Sequence, residues 1–191
     1  MMERRQVLKE LAILTGGIFL VPSCDFSKED ILKAYKNLKI TESDKQLLDK
    51  ICGVIIPSGS VVKGADDLAV VDFVLVMTND CYEEKTQHTF LHGLRSIEAI
   101  SKELTGKKLS NQSQDESVDF IQSVIGGKVK GADEQGMRDL TYFLNTTKVL
   151  TIEGFMTSEY VMTEIMPYEL VPGSFKGKVK IQEGEKVNIY G

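Results

Sequence analysis

Residues 83–105 read EEKTQHTFLHGLRSIEAISKELT and carry the clearest helical pattern in the chain. Apolar residues recur there at spacings of three and four, which places them on one face of an α-helix. Gly106 follows the last turn and is predicted to end the helix. A one-sided pattern of this length indicates a helix that packs against other helices. The buried side is predicted to consist of Phe90, Leu91, Leu94, Ile97 and Leu104.

Four further segments have the same periodicity and are also predicted to be helices. The first has Thr41 or Ser43 as its cap and acidic residues in its first turn, and the third has Ser113 as its cap. The second is rich in valine, so a strand is its rival, but about 14 residues is long for a strand. In the fourth, the inward positions are predicted to be Leu140, Phe143, Leu144 and Thr147. The segments are residues 41–56, 67–82, 113–127 and 133–151.

These patterns predict an all-α fold, with a single helical domain of about five to seven helices. A signal segment precedes the domain, and a tail rich in proline and glycine follows it. We assign residues 1–23 to the signal, 24–40 to a linker and first helix, 41–178 to the helical domain and 179–191 to the tail.

Composition excludes several classes of function for this 191-residue chain. The net charge is −5 and no basic stripe is present, which argues against nucleic acid as a partner. No apolar run reaches the length of about 18 residues that a membrane-spanning helix needs. The hydrophobic fraction of 42% is that of an ordinary globular protein.

The first 24 residues have the features of an export signal. Arg4 and Arg5 precede the short apolar run LAILTGGIFLV, and RRQVLK resembles the twin-arginine export motif. Glu3 and Val7 depart from that motif, so a general secretory signal is the alternative. The ending VPSC resembles the lipobox of bacterial lipoproteins, in which Cys24 becomes acylated after cleavage. We therefore expect an exported protein, on the periplasmic or cell-surface side, anchored to a membrane through Cys24.

Residues able to carry chemistry are few. His88 and His92 stand four apart on the predicted helix, with Glu84 one turn earlier, and such a set could hold zinc or iron. The alternative is a solvated helix face, because these residues lie mostly off the predicted buried side. Cys52 and Cys81 are interpreted as buried free thiols, with a disulfide as the alternative. No nucleotide, haem or nucleophile motif is present, so we expect no catalytic residue and no cofactor in this chain.

Four short motifs occur in an order that resembles the gluconate 2-dehydrogenase subunit 3 family, over residues 45–178. They are an IIP sequence, a loop ending in GA followed by a D-F pair, a TSE sequence, and a final Y-x-x-VPG. The matching residues are Ile55, Ile56, Pro57, Gly64, Ala65, Asp72, Phe73, Thr157, Ser158, Glu159, Tyr168, Val171, Pro172 and Gly173.

This resemblance implies a non-catalytic small subunit of a sugar or polyol dehydrogenase complex. The large partner would be an FAD-dependent oxidoreductase of the glucose–methanol–choline type, sometimes joined by a cytochrome c subunit. The small subunit would supply the twin-arginine signal and escort the folded flavoprotein through export. Residues 154–175 are our hypothesis for the contact with that partner, with packing inside the domain as the alternative. The candidate contact residues are Phe155, Thr157, Ser158, Glu159, Tyr168, Pro172 and Gly173.

Two other functions remain open from the sequence. One is a stand-alone exported lipoprotein with a binding role. The other is a small metal-dependent enzyme that uses His88, His92 and Glu84.

Overall fold

A computed structural model describes residues 35–129, 134–166, 177–178, 180 and 182–184. Helices account for the regular structure of these residues, and no strand occurs among them, which confirms the predicted all-α fold. The described part contains five α-helices, a 3₁₀ turn at Leu109–Asn111 and a π-helical turn at Val161–Ile165. The α-helices are α1 (Glu42–Ile55), α2 (Val70–Cys81), α3 (Glu84–Thr105), α4 (Gln114–Ile125) and α5 (Glu134–Met156).

Several predicted features lie outside the described residues. These are the whole signal segment, most of the 24–40 stretch and most of the 179–191 tail. Arg4, Arg5 and Cys24 are among them. Within the described part, no helix is both long enough and apolar enough to cross a membrane.

Two predicted caps begin their helices as expected. The Thr41 hydroxyl accepts a hydrogen bond from the Asp44 amide at 3.1 Å, and the Asp44 carboxylate accepts one from the Thr41 amide at 3.1 Å. Ser113 and Glu116 form the same reciprocal pair at the start of α4. Burial raises the pKa of Asp44, but hydrogen bonds from Arg95 and Thr41 outweigh burial and lower it overall.

The segment that had a strand as its rival is a helix. It begins at Val70 rather than at residue 67, because Ala69 has a left-handed backbone with a φ of 49°. Four of its apolar side chains are buried: Val70, Val71, Val74 and Leu75.

The described end of the 24–40 stretch is a turn that packs on α2. The Lys39 amide donates to the Tyr35 carbonyl at 3.1 Å, and Tyr35, Leu38 and Ile40 are buried. The Asn79 side chain accepts hydrogen bonds from the amides of Asn37 and Leu38, at 3.0 and 3.3 Å. One polar side chain of α2 thus satisfies two backbone donors of the turn.

Helix α5 is the centre of the described domain. It contacts each of the other four α-helices and the π-helical turn. All four of its predicted inward residues are buried, but the helix extends to Met156, five residues beyond the predicted end. Gly154 lies within this helix, and a β-carbon there would lie 2.7 Å from the Phe73 ring, so α2 can pack this closely only against a glycine.

Helices α3 and α5 approach each other closely at Gly93. A β-carbon on Gly93 would lie 2.4 Å from the Phe143 β-carbon and 2.6 Å from the Asp139 carbonyl oxygen. One turn away, the Phe90 and Phe143 rings meet edge to face with centroids 4.9 Å apart. Phe90, Leu91, Leu94 and Ile97 are buried as predicted, Leu104 is half-buried, and α3 ends at Gly106, where φ is 79°.

The two cysteines within the described residues are both free and occupy different environments. Cys52 is buried, and burial raises the pKa of its thiol to about 12. Cys81 is exposed, so the prediction that it is buried was wrong. It is the last residue of α2, where the chain leaves the helix.

We expect Gly93→Ala to lower the free energy of unfolding by about 1–3 kcal/mol, because the new methyl group overlaps a backbone carbonyl that cannot move alone. Urea unfolding of the purified protein measures this change. Gly53→Ala is the matched control, since Gly53 is also helical but its β-carbon would meet Asp66 at an ordinary 3.5 Å. This control should be neutral or gain up to about 1 kcal/mol from helix propensity. Equal stability of the two variants would refute the close crossing.

In a chain carrying Cys24→Ser, we expect a maleimide at neutral pH to label Cys81 and to leave Cys52 unlabelled. The thiolate is the reactive form, and Cys52 is both buried and held in its protonated form. Mass spectrometry should find one adduct on the native chain and two adducts in guanidinium chloride. Cys81→Ser should abolish native labelling. Rapid native labelling of this variant would contradict the buried position of Cys52.

Candidate functional site

The IIP motif begins at Ile55, the last residue of α1, and the rest of it lies with the GA motif on the loop that joins α1 to α2. The Ala65 amide donates to the Ile56 carbonyl at 2.9 Å and so closes the base of the loop. A β-carbon on Gly64 would lie 2.3 Å from the Ser58 amide nitrogen and 2.7 Å from the Ile56 carbonyl oxygen. The two sides of the loop therefore approach each other only because residue 64 has no side chain.

A cluster of exposed polar side chains fixes the same loop. The Ser58 hydroxyl lies 2.7 Å from the Asp66 carboxylate and 2.6 Å from the Asp67 carboxylate. The Gly64 amide donates to both the Ser58 hydroxyl and Asp67, each at 3.1 Å. The hydrogen bonds from Ser58 and then from Gly64 hold the pKa of Asp67 below its usual range. These hydrogen bonds hold the loop in its shape.

The tip of the loop presents two valines to solvent. The Gly59 amide donates to the Val62 carbonyl at 2.9 Å, which closes the tip as a turn. Val61 is 88% exposed and Val62 is also exposed. A fixed turn with an apolar tip loses little conformational entropy when it enters a pocket, so it suits a contact with another protein.

Tyr160 joins this loop to the segment after α5. Its hydroxyl accepts a hydrogen bond from the Lys63 amide at 3.4 Å, and the Lys63 ammonium lies 4.8 Å from the centre of its ring. The sequence analysis did not identify Tyr160, although it directly follows the TSE motif. The motif segments that lie far apart in sequence thus meet at one end of α5.

The predicted contact residues at and beyond the end of α5 form three sets. Glu159 is exposed and Phe155 is half-buried. Thr157 and Ser158 use their hydroxyls to end the helix, donating to the carbonyls of Glu153 and Phe155 at 2.8 and 2.7 Å. The remaining candidates, Tyr168, Pro172 and Gly173, lie outside the described residues.

Asp72 and Phe73, the D-F pair, each connect α2 to other parts of the fold. Asp72 accepts hydrogen bonds from the Lys45 ammonium at 2.5 Å and the Tyr35 hydroxyl at 3.2 Å, so it ties α2 to α1 and to the 35–40 turn. Burial and then the Asp72 charge raise the pKa of Tyr35 to about 12. The neighbouring Phe73 ring packs on Gly154 of α5.

The two histidines lie beside different acidic residues. His88 lies 3.7 Å from Glu84, with both side chains largely exposed, and the His92 Nδ1 lies 2.8 Å from an Asp139 carboxylate oxygen on α5. Both histidines line a groove of about 330 Å³ beside the 35–40 turn. Across the described ranges, no three histidine, cysteine or acidic side chains lie close enough together to hold a metal ion.

We expect Ser58→Ala to raise the pKa of Asp67 towards its usual range, because the hydroxyl is the largest cause of its lowering. Because the pKa of Asp67 is lowered, its ionised carboxylate stabilises the folded loop at any pH above the ordinary pKa of an aspartate. This contribution is lost as the pH falls through the lowered pKa. Titration of the side-chain carboxyl signal by NMR measures the change. Ser60→Ala, on the same loop, is the control and should leave the titration where it is. An unchanged Asp67 titration in Ser58→Ala would contradict the hydrogen bond.

One family of known proteins matches the domain. The sequence model of the family described as gluconate 2-dehydrogenase subunit 3 matches residues 42–173, which is more than half of the chain. No curated protein and no solved structure matches the chain significantly. The match runs from the start of α1 past the π-helical turn, and it includes the loop between α1 and α2. The family description names a subunit of an oxidoreductase complex, which supports a dehydrogenase as partner in general terms. The chain belongs to the gluconate 2-dehydrogenase subunit 3 family, as the order of its motifs predicted.

Proposed function

We propose that this chain is a non-catalytic accessory subunit that binds an FAD-dependent dehydrogenase of the glucose–methanol–choline type. In this proposal the chain escorts the folded flavoprotein through twin-arginine export, and acylated Cys24 then holds the complex at the membrane. FAD belongs to the partner, and a cytochrome c subunit completes the complex in some members. The observation that carries the proposal is the family match over residues 42–173.

The geometry of the motif residues supports a binding role. The Asp72 carboxylate is engaged by Lys45 and Tyr35, and Ser58 is engaged by two carboxylates and an amide. These polar groups hold helices and a loop in place, so they are committed to structure. At the loop tip the apolar side chains of Val61 and Val62 remain exposed. An apolar tip on a rigid support is suited to contact with a protein surface.

The first 24 residues support the export part of the proposal. The paired arginines, the short apolar run and Cys24 follow one another in the order of a lipoprotein signal. The twin-arginine route carries folded proteins, so a flavoprotein that folds around FAD before export could travel with this chain. The signal would then serve the partner's cofactor.

The test is a mild-detergent purification of the tagged full chain from its native cells. We expect a flavoprotein to co-purify, visible in the flavin absorbance of the eluate and identified by mass spectrometry. In the double variant Arg4→Lys/Arg5→Lys, both proteins should remain in the cytoplasmic fraction, because the export signal is weakened while the complex still forms.

Cys24→Ala separates anchoring from export. In this variant both proteins should be exported but released from the membrane fraction, because no acyl chain is attached. A colourless wild-type chain without a partner would overturn the proposed function and favour a stand-alone lipoprotein.

A further inference from the structure

The two histidines of α3 face the same open space. His88 and His92 stand four residues apart, so they share one face of the helix, with β-carbons about 5–6 Å apart. Both line the groove beside the 35–40 turn. Their side chains are 75% and 57% exposed, so both rings are accessible to a ligand from solvent. Histidines at this helical spacing are the pair that binds zinc in helical metal sites.

Asp139 of α5 fixes the imidazole of His92. The His92 Nδ1 lies 2.8 Å from one Asp139 carboxylate oxygen, so Nδ1 donates a proton to it and Nε2 is the ring nitrogen left to bind a ligand. The other Asp139 oxygen accepts a hydrogen bond from the Gln135 side-chain amide at 2.7 Å, and the carboxylate is only 14% exposed. A carboxylate behind a histidine is the usual support of a metal ligand. Asp139 thus sets the tautomer and orientation of His92 before any ion binds.

His88 lies on the side towards which the His92 ring extends. Side chains on a helix lean towards the N-terminal turn, so the His92 ring reaches back over the turn that carries His88. The His88 Nε2 is 3.7 Å from the exposed Glu84 carboxylate, which is too long for a hydrogen bond. The ring of His88 is therefore held by no strong contact there, and it is able to turn towards His92.

The charges around the two histidines suit a cation. The carboxylates of Glu84 and Asp139 lie beside the rings, and the side chains of Lys39 and Arg95 line the same groove. Arg95 is engaged by the Asp44 carboxylate at 3.0 Å. Three carboxylates therefore oppose two cationic side chains, and neutral imidazoles add no charge. The negative balance favours the entry of a divalent cation into the groove.

We propose that His88 and His92 form a binding site for a divalent transition-metal ion, Zn²⁺ or Cu²⁺, in which Asp139 positions His92. Imidazole nitrogen is a preferred ligand of both ions, and Cu²⁺ should bind more tightly than Zn²⁺. The chain supplies two ligands and water supplies the others, so the site needs no cluster of three ligating side chains among the described residues. Once one imidazole binds, the second binds within the same molecule, which strengthens the pair over either ring alone. This site goes beyond the proposed accessory role and does not depend on it.

The test uses the full chain with Cys24→Ser and Cys81→Ser, purified through a tag that contains no histidine. These changes remove the two cysteines that would compete for metal, since the third, Cys52, is buried. Calorimetric titration with Zn²⁺ measures the dissociation constant, and we expect one ion per chain. Electron paramagnetic resonance of bound Cu²⁺ should show coupling to two imidazole nitrogens.

His88→Ala and His92→Ala should each raise the dissociation constant for Zn²⁺ at least tenfold, because either change leaves a single imidazole. Glu103→Gln is the control, since it removes an exposed carboxylate from the same helix but outside the groove. Its dissociation constant should stay within about twofold of the parent chain. Thermal unfolding without metal checks that all three variants keep the fold.

Asp139→Asn tests the positioning role, because it keeps the shape of the side chain and removes its charge. We expect the dissociation constant for Zn²⁺ to rise about tenfold. Without metal, the ring-nitrogen NMR signals of His92 should show a larger share of the other tautomer, which a purely structural loss would not produce. An unchanged affinity and an unchanged tautomer would refute the role of Asp139.

Two results would overturn the metal site. One is the absence of saturable binding up to roughly 1 mM Zn²⁺, which would leave an affinity no better than weak, non-specific contact. The other is binding that persists unchanged in both single-histidine variants, which would place the ion elsewhere. The flavoprotein takes no part in these measurements, so either result leaves the proposed accessory role standing.

Discussion

The close crossing of α3 over α5 is the constraint on which the other helix positions depend. Gly93 lets the two backbones approach until the Phe143 β-carbon and the Asp139 carbonyl fill the space of a side chain. The Phe90 and Phe143 rings then pack edge to face beside the crossing. This contact fixes which side of α5 faces inward. Since α5 touches every other α-helix of the described domain, it also determines which residues remain outside.

A second glycine contact determines where the α1–α2 loop lies. Phe73 packs on Gly154, which sets α2 along the later turns of α5 and brings the α1–α2 loop to the end of that helix. Tyr160, which follows the C-terminal end of α5, then contacts Lys63 of the loop. The loop is therefore supported from both sides. Ser58, Asp66 and Asp67 take part in fixing it, while the Val61 side chain at its tip stays exposed.

Local sequence information was enough to predict the helices, their caps and most of the core. The capping pairs at Thr41 and Ser113 act over three residues, and the inward positions of α5 follow from helical periodicity alone. The contacts of the candidate site act over much longer separations. Tyr160 meets Lys63 across 97 residues, and Gly154 meets Phe73 across two intervening helices. No periodicity records such pairs, so the end of α5 and the exposure of Cys81 could not be derived from sequence.

The acidic and hydroxyl groups of the motif segments hold helices and loop together, while some valine, isoleucine, methionine and tyrosine side chains remain exposed on α5 and α2. An isolated domain gains nothing from this exposure, because exposed apolar area costs free energy in water. In the proposed complex, the same area becomes favourable only when a folded partner covers it. Such exposed side chains would then favour assembly before export, since a partner without its folded surface could not cover them.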